Sequence, residues 1–404
     1  MSRTRNLLLC LSLSALLGCG GEATVSVGAI LPLSGEFAIY GEPIRRGIEL
    51  AYEEIQARED FPYHLELQVE DSQGDPDRAQ DLLRQIYGAG APAAIGGVTT
   101  REALAMVEVA DSRDRVLLSP SASSPRLTGI SSNFFRVFPS DFLEGTKMAH
   151  FSVQTLGIET VVIVAAESQY AKGVQEVFQH EVQRQGAEVL EVVEYPRNTS
   201  DLGGVLDRVM TLSPDAVYLA DYADGLVILI EGLRERGYEG QVLTTSSIAT
   251  PEVLEQAGAA AGGVKFTQSN YDVTSEDPRI QHFVQEFEAK YDTTPDLYAA
   301  HGYDAMQIFA QALVEGEGRR PTDFWSGMRG INNFQGVTGP IQFDEQGDVQ
   351  KFPRVYTIQE GDFIDYDQVL DERRRELEER RRELERRMRN LERQRQGLRD
   401  DAGS

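Results

Sequence analysis

The chain has 404 residues, 41% of them apolar and 26% charged, with 65 acidic against 39 basic side chains and a formal net charge of −26. Such a composition can bury a core, and two domains are the default at this length. The acid excess excludes a nucleic-acid partner, which needs a basic face to neutralise phosphates, and makes an anionic membrane surface a poor binding target.

Both cysteines, Cys10 and Cys19, stand near the amino terminus. No disulfide, cysteine zinc site or thiol nucleophile is therefore expected in the rest of the chain. Arg3 and Arg5 precede an apolar run, Leu7–Leu17, that ends in Gly18-Cys19. This is the layout of a signal peptide over residues 1–18, too short to cross a bilayer stably. The ending Leu16-Leu17-Gly18-Cys19 resembles the bacterial lipoprotein box. The resemblance implies that Cys19 is lipidated and becomes the first mature residue, so that the protein sits in the periplasm or on the cell surface, anchored to the membrane.

Beyond it, β-rich runs alternate with amphipathic ones. Strands are expected over Val25–Leu31, Leu65–Val69, Ala93–Ile95 and Val116–Leu118, separated by helices over Ile44–Gln56, Asp77–Tyr87 and Glu102–Asp111. A turn signal at Phe138-Pro139-Ser140-Asp141 interrupts the series. Helix Glu144–Thr155, strand Thr160–Ala165, helix Tyr170–Gln185, strand Val189–Val193, helix Leu202–Met210, strand Ala216–Ala220, helix Ala223–Arg236 and strand Gln241–Thr245 follow it. After a second break at Gln268–Tyr271 come helices over Arg279–Tyr291 and Tyr298–Glu315. A hairpin-like stretch, Gly336–Phe343, then turns at Asp344–Asp348 into Phe352–Ile358. Such alternation argues for parallel sheets, because parallel strands need helical crossovers.

The expected fold is α/β: two Rossmann-like lobes with parallel sheets, joined by three crossovers, with a cleft between them. Lobe 1 takes residues 24–139 and 271–344, and lobe 2 takes 140–270 and 345–366. A charged heptad helix over 370–399 completes the chain. There Leu370, Leu377, Leu384, Leu391 and Leu398 recur every seven residues, and Glu376/Arg380, Glu378/Arg382, Glu383/Arg387 and Glu385/Arg389 form acid-first i,i+4 pairs. The alternating seam positions hold Arg374, Arg381, Met388 and Arg395. Self-association through 370–399 is thereby weak, and a solvated spacer helix is the main expectation.

Catalytic signals are poor. No G-x-S-x-G, H-E-x-x-H or phosphate-loop motif occurs, and the five histidines show no ligand spacing. Neither an enzyme nor a metal or other cofactor is expected. Hydroxyl-rich loops instead follow two strands: Gly96-Gly97-Val98-Thr99-Thr100 and Ser119-Pro120-Ser121-Ala122-Ser123-Ser124. Carboxyl ends of strands are where open α/β sheets bind ligands, and hydroxyls with helix-start amides suit a carboxylate. The same hydroxyls also suit helix capping, and the two roles are compatible.

Val27–Gly35, Tyr40-Gly41, Gly47–Ala51, Glu70-Asp71-Ser72, the two hydroxyl loops, Tyr303-Asp304-Ala305, and Thr338-Gly339-Pro340 through Gly347 resemble type I periplasmic binding proteins of the branched-chain amino acid-binding family. The resemblance covers about residues 24–366 and excludes the charged tail. It implies a solute receptor of an ABC transporter that clamps an amino acid, or a similar small carboxylate or amide, by hinge closure, with the ABC permease as partner. By position it implies that Thr99, Thr100, Ser121, Ala122 and Ser123 hold the ligand carboxylate. Tyr40 lies against the ligand, Tyr170 and Tyr222 close from lobe 2, and Tyr298 flanks the side chain, with Tyr271 a weaker candidate. Amino acid binders of this family often carry a Glu after the strand read here as Gln241–Thr245; this chain has Thr245-Ser246-Ser247, of which Ser246 is expected to contact the ligand. A buried ammonium needs an anionic partner, and Asp141, Asp221 and Asp224 are the candidates, Asp224 standing close behind Tyr222. The alternative is a ligand without an α-ammonium. A second functional reading is a sensing or assembly lipoprotein whose C-terminal helix contacts a partner.

Overall fold

The computed structural model describes residues 23–401, with side chains from Thr24 to Arg389. Cys19 and the expected signal peptide lie outside the described residues. The first stretch runs β1 (Ala23–Leu31), α1 (Ala38–Gln56), β2 (Tyr63–Asp71), α2 (Pro76–Gly88), β3 (Ala93–Gly96), α3 (Thr100–Arg113), β4 (Val116–Ser119) and β5 (Phe134–Arg136). These five strands form one parallel sheet in the order β2-β1-β3-β4-β5. The chain then leaves for a second unit: α4 (Asp141–Gln154), β6 (Thr160–Ala166), α5 (Gln169–Arg184), β7 (Glu188–Tyr195), α6 (Gly203–Leu212), β8 (Ala216–Ala220), α7 (Ala223–Glu235), β9 (Gln241–Thr244), α8 (Pro251–Ala257) and β10 (Lys265–Gln268). It returns with α9 (Pro278–Tyr291), α10 (Leu297–Glu315), α11 (Pro321–Gly330) and a small ribbon, β11 (Phe334–Gly336) with β12 (Gly339–Ile341). Finally it adds β13 (Arg354–Gln359) and β14 (Asp362–Asp365) to the second sheet and ends in α12 (Tyr366–Asp401).

The second sheet is ordered β14-β13-β10-β9-β8-β6-β7. It is parallel except at β13, which pairs antiparallel with β10 and β14. Two lobes with parallel sheets are thus present, and the chain passes between them three times. Strands β6 and β8 are apolar almost throughout because helices cover both faces, so period-two alternation is absent.

Helix α1 packs along α10, the link that returns the late helices to the first lobe. The helices meet at two glycines: a Cβ on Gly47 would lie 2.0 Å from the Ala299 carbonyl oxygen, and one on Gly302 would lie 2.3 Å from that of Ile44. This approach brings Tyr40 on α1 and Tyr298 on α10 to a ring distance of 4.8 Å.

The third passage is pinned by a buried ion pair. Arg136 on β5 donates from Nε to Asp348 Oδ1 at 2.7 Å and from Nη2 to Oδ2 at 2.8 Å. Its other nitrogen donates to the carbonyls of Ala122 and Ser124. Asp304 on α10 accepts from the amides of Val337 and Thr338 at 2.8 and 2.9 Å, fixing the turn of the β11–β12 ribbon.

Three expectations need correction. The stretch Gly336–Phe343 does not pair with Phe352–Ile358. It folds on itself as β11–β12, while β13 makes its hairpin with β14 through Glu360-Gly361, both at positive φ, the conformation a two-residue primed turn needs. Helix α1 begins at Ala38, ahead of the expected Ile44, with Pro43 inside it. Strands β5, β10 and β14 were not foreseen, since runs of three or four residues carry little periodicity, and neither were helices α8 and α11, of seven and ten residues. In α12, the Glu378–Arg382 and Glu383–Arg387 pairs form at 3.4 and 2.7 Å.

Candidate functional site

The carboxyl ends of β1, β3 and β4 in one lobe face those of β6, β8 and β9 in the other. Each delivers a loop to one cleft, and ten of the expected site residues meet there: Tyr40, Thr99, Thr100, Ser121, Ala122, Ser123, Tyr170, Tyr222, Ser246 and Tyr298. Val98, Phe138 and Ser247 complete the lining. Asp224 is not among them. Its side chain is 56% exposed and stands 3.5 Å from Arg197 at the cleft mouth. Tyr271 also stays apart, its hydroxyl donating to the Pro295 carbonyl.

Local folding rules explain the hydroxyl loops. Thr99 caps α3, accepting from the Glu102 amide at 3.2 Å, while Glu102 Oε2 accepts from the Thr99 amide at 3.1 Å and its hydroxyl at 2.9 Å. The first-turn amides beyond it have no intrahelical partner and sit at the positive end of the helix dipole. In the next loop Ser119 Oγ donates to the Gly97 carbonyl at 2.8 Å and Ser121 Oγ to that of Val98 at 2.7 Å, binding the two loops into one wall. The two loops thus divide the work: Thr99 serves the helix cap, and Ser119 and Ser121 tie the loops together.

The aromatic wall is shared between lobes. Tyr40 contacts Tyr222 and Tyr298 at ring distances of 6.0 and 4.8 Å, and Tyr170 contacts Tyr222 at 4.7 Å. Tyr40 donates its hydroxyl to the Ser247 carbonyl at 3.1 Å and accepts from the Ala223 amide at 2.8 Å, both in the opposite lobe. Tyr298 donates to the Ser246 carbonyl at 3.2 Å, and Tyr170 shares its hydroxyl with Thr245 and Ser247 at 2.6 and 2.7 Å. Burial pushes the phenols of Tyr40, Tyr170, Tyr222 and Tyr298 up, so all are neutral donors near pH 7. These contacts draw the lobes together until the inner space is about 20 Å³.

Outward, the cleft widens to a mouth of about 880 Å³ carrying Glu36, Arg101, Glu167, Lys172, Glu194 and Arg197. Arg197, from the loop after β7, lies 4.5 Å over the Phe37 ring and 4.8 Å over that of Tyr222. It also reaches Glu36 of the first lobe at 2.8 Å. Asp221 is buried, hydrogen-bonded by the Tyr195 hydroxyl and by the Tyr222 amide at 2.7 Å, and burial raises its carboxyl to about 6. Phe37, Phe138, Ser247 and Arg197 were not identified as site residues from the sequence. Ser247 adjoins an identified position and Phe138 sits in a turn signal, but nothing around Arg197 distinguishes it from any other loop cation.

The periplasmic binding protein family matches residues 24–362. A leucine-, isoleucine-, valine-, threonine- and alanine-binding protein of Pseudomonas aeruginosa is 21% identical over 88% of this chain and 92% of its own length. Among solved structures, a leucine-binding protein, LivK, of Thermotoga maritima superposes with a TM-score of 0.79 at 27% identity, covering 85% of this chain and 99% of that one. An ABC transporter solute-binding protein of R. palustris in complex with benzoate gives 0.77 at 22% identity, over 85% and 95% of the two chains.

Proposed function

We propose, from the premise that this chain belongs to the periplasmic binding protein family, that it is the solute-binding receptor of an ABC transporter, capturing an amino acid of branched-chain type by closure of its lobes. The observation that carries this reading is the cleft itself, where one lobe's helix-start amides and hydroxyl loops face a tyrosine wall built by both. Specificity in such a site comes from a few placed polar groups and aromatic walls. Residues 24–139 with 271–344 form one lobe in this reading, and 140–270 with 345–366 the other. Tyr40, Thr99, Thr100, Ser121, Ala122, Ser123, Tyr170, Tyr222, Ser246 and Tyr298 contact the ligand. Lipidated Cys19 holds the receptor at the membrane outside the cytoplasm, within reach of its permease. The relatives' names support the amino acid class, and the benzoate-binding fold-mate makes a plain small carboxylate the alternative.

A thermal-shift screen of leucine, isoleucine, valine and benzoate tests the reading, since a ligand bound only by the folded form raises Tm. An amino acid response that Tyr170→Ala and Tyr222→Ala both weaken supports it. No response to any of the four would sink it.

The tail favours a second reading, a sensing or assembly role. Leu377, Leu384 and Met388 are exposed along α12, which meets the body near its start, where Tyr366 sits edge-on to Phe151. Deleting residues 371–404 separates the two: uptake unchanged by the deletion favours the transport role alone.

A further inference from the structure

Behind the cleft wall, on the first turn of α4, Asp141 and Glu144 are both fully buried. Asp141 Oδ2 accepts from Ser123 Oγ at 3.0 Å. Glu144 Oε2 accepts from Ser246 Oγ at 3.2 Å and from the Ser246 amide and Thr267 Oγ1 at 3.5 and 3.4 Å. Their remaining oxygens, Asp141 Oδ1 and Glu144 Oε1, have no hydrogen-bond partner among the described residues. Arg136, the cation that acts on Asp141, is committed to Asp348 at 2.7 Å. Two buried carboxylates thus lack a counter-ion of their own, a costly arrangement unless something else supplies the positive charge.

The cleft-side hydroxyls show where that charge comes from. A hydroxyl whose proton is given to a carboxylate offers a third group only its lone pairs. Ser123 and Ser246 line the cleft and are both in that state, so this part of the wall accepts hydrogen bonds, and the Ser123 hydroxyl is not free to donate to the ligand carboxylate as the family resemblance implied. At the start of α3 the polarity is reversed, because free amides there donate. The cleft therefore has an anion-seeking end and a cation-seeking one.

We propose that the Asp141–Glu144 pair, acting through Ser123 and Ser246, is the counter-charge for a protonated amine on the ligand, so that this receptor selects a zwitterion over a plain carboxylate. The inference rests on the solute-receptor reading above and names the ligand class of that same site. Asp141 and Glu144 are positioning residues, since the serines stand between them and the cleft.

Proton release gives a readout that a purely structural role would not move. Burial raises the Asp141 carboxyl to about 7, and burial together with Asp141 raises that of Glu144. An arriving ammonium favours the ionised pair, and the displaced proton passes to the buffer. Arg136 on β5, which acts on Asp141, is held by Asp348, and the phenols that feel the pair, Tyr170 on α5, Tyr218 on β8, Tyr222 after β8 and Tyr298 on α10, are raised by burial and stay protonated near neutrality.

The test is calorimetric titration of the full chain at pH 7 in two buffers of different ionisation enthalpy, with L-leucine, 4-methylpentanoate and benzoate as probes. Leucine is expected to bind at least about tenfold more tightly than 4-methylpentanoate and to release protons, and Glu144→Gln is expected to lose about tenfold in leucine affinity while melting no lower than the parent. Asp141→Asn gives the same comparison should Glu144→Gln fail to fold. Equal or tighter binding of 4-methylpentanoate or benzoate, or a folded Glu144→Gln that keeps parental leucine affinity, overturns the inference and leaves the receptor reading standing. Binding of none of the three probes overturns both.

Discussion

Arg136 shows how much one side chain holds here. It is fully buried, its charge is matched by Asp348, and its spare donors satisfy two loop carbonyls behind the hydroxyl wall. Removing one member of such a pair leaves the other charge buried alone, so Arg136→Met should cost about 3–5 kcal/mol in urea unfolding, and Arg136→Met with Asp348→Leu should recover much of the loss. Titration acts in the opposite sense on the unpaired acids. Burial raises Asp141 and Asp296 from ordinary carboxylate values to about 7. Between about pH 4 and 7 the folded state then holds protons that the unfolded chain has lost, so these groups make stability fall as pH rises through that window. Melting temperature measured across it should decline less steeply in Asp141→Asn than in the parent. At this scale the sequence was only partly legible. The hydroxyl loops stood out because they follow strands, although helix capping would use the same residue types, and Thr99, Ser121, Ser123 and the tyrosines were singled out by the family resemblance. Glu144 could not, because acids in a helix's first turn ordinarily serve the dipole on the surface, and nothing local reveals burial.

Among the elements, α1 and α10 decide whether two tyrosines from opposite ends of the sequence meet. Their closeness depends on Gly47 and Gly302, where any Cβ runs into backbone rather than into a side chain that could turn away. Gly47→Ala should force the helices apart, costing about 1–3 kcal/mol of stability. It should also weaken ligand binding, because Tyr40 and Tyr298 shift together; circular dichroism melts and calorimetry read the two effects. Unchanged affinity in a destabilised variant would show that the tyrosines do not depend on this packing. The long helices and buried strands were readable from their periodicity. The short strands β5, β10 and β14 were not, since their existence depends on neighbours far along the chain, and pairing partners cannot be read from a run of three or four residues. The β13–β14 hairpin was misassigned for that reason, although Glu360-Gly361 had the residue type its turn requires at the second position.

At the scale of the whole molecule, closure has two layers. Inside, Tyr40 and Tyr298 donate to backbone of the opposite lobe. At the mouth, Arg197 lies over Phe37 and pairs with Glu36, joining the lobes a second time. A half-exposed ion pair with a cation over an aromatic ring is worth about 1 kcal/mol. Arg197→Ala should therefore lower the closed-to-open ratio roughly fivefold, seen as faster ligand dissociation in stopped flow and a larger radius of gyration in solution scattering. A dissociation rate equal to the parent's would show that the inner tyrosines alone hold the lobes. The direction of β1 carries a further consequence. Its carboxyl end feeds the cleft, so Ala23 marks the opposite edge of the first sheet, four residues after Cys19. Four extended residues span at most about 14 Å. A lipid on Cys19 would thus tether the body by its blunt end with almost no slack, turning the mouth toward passing solute and requiring the receptor to tip over, or its permease to rise to it, before cargo changes hands.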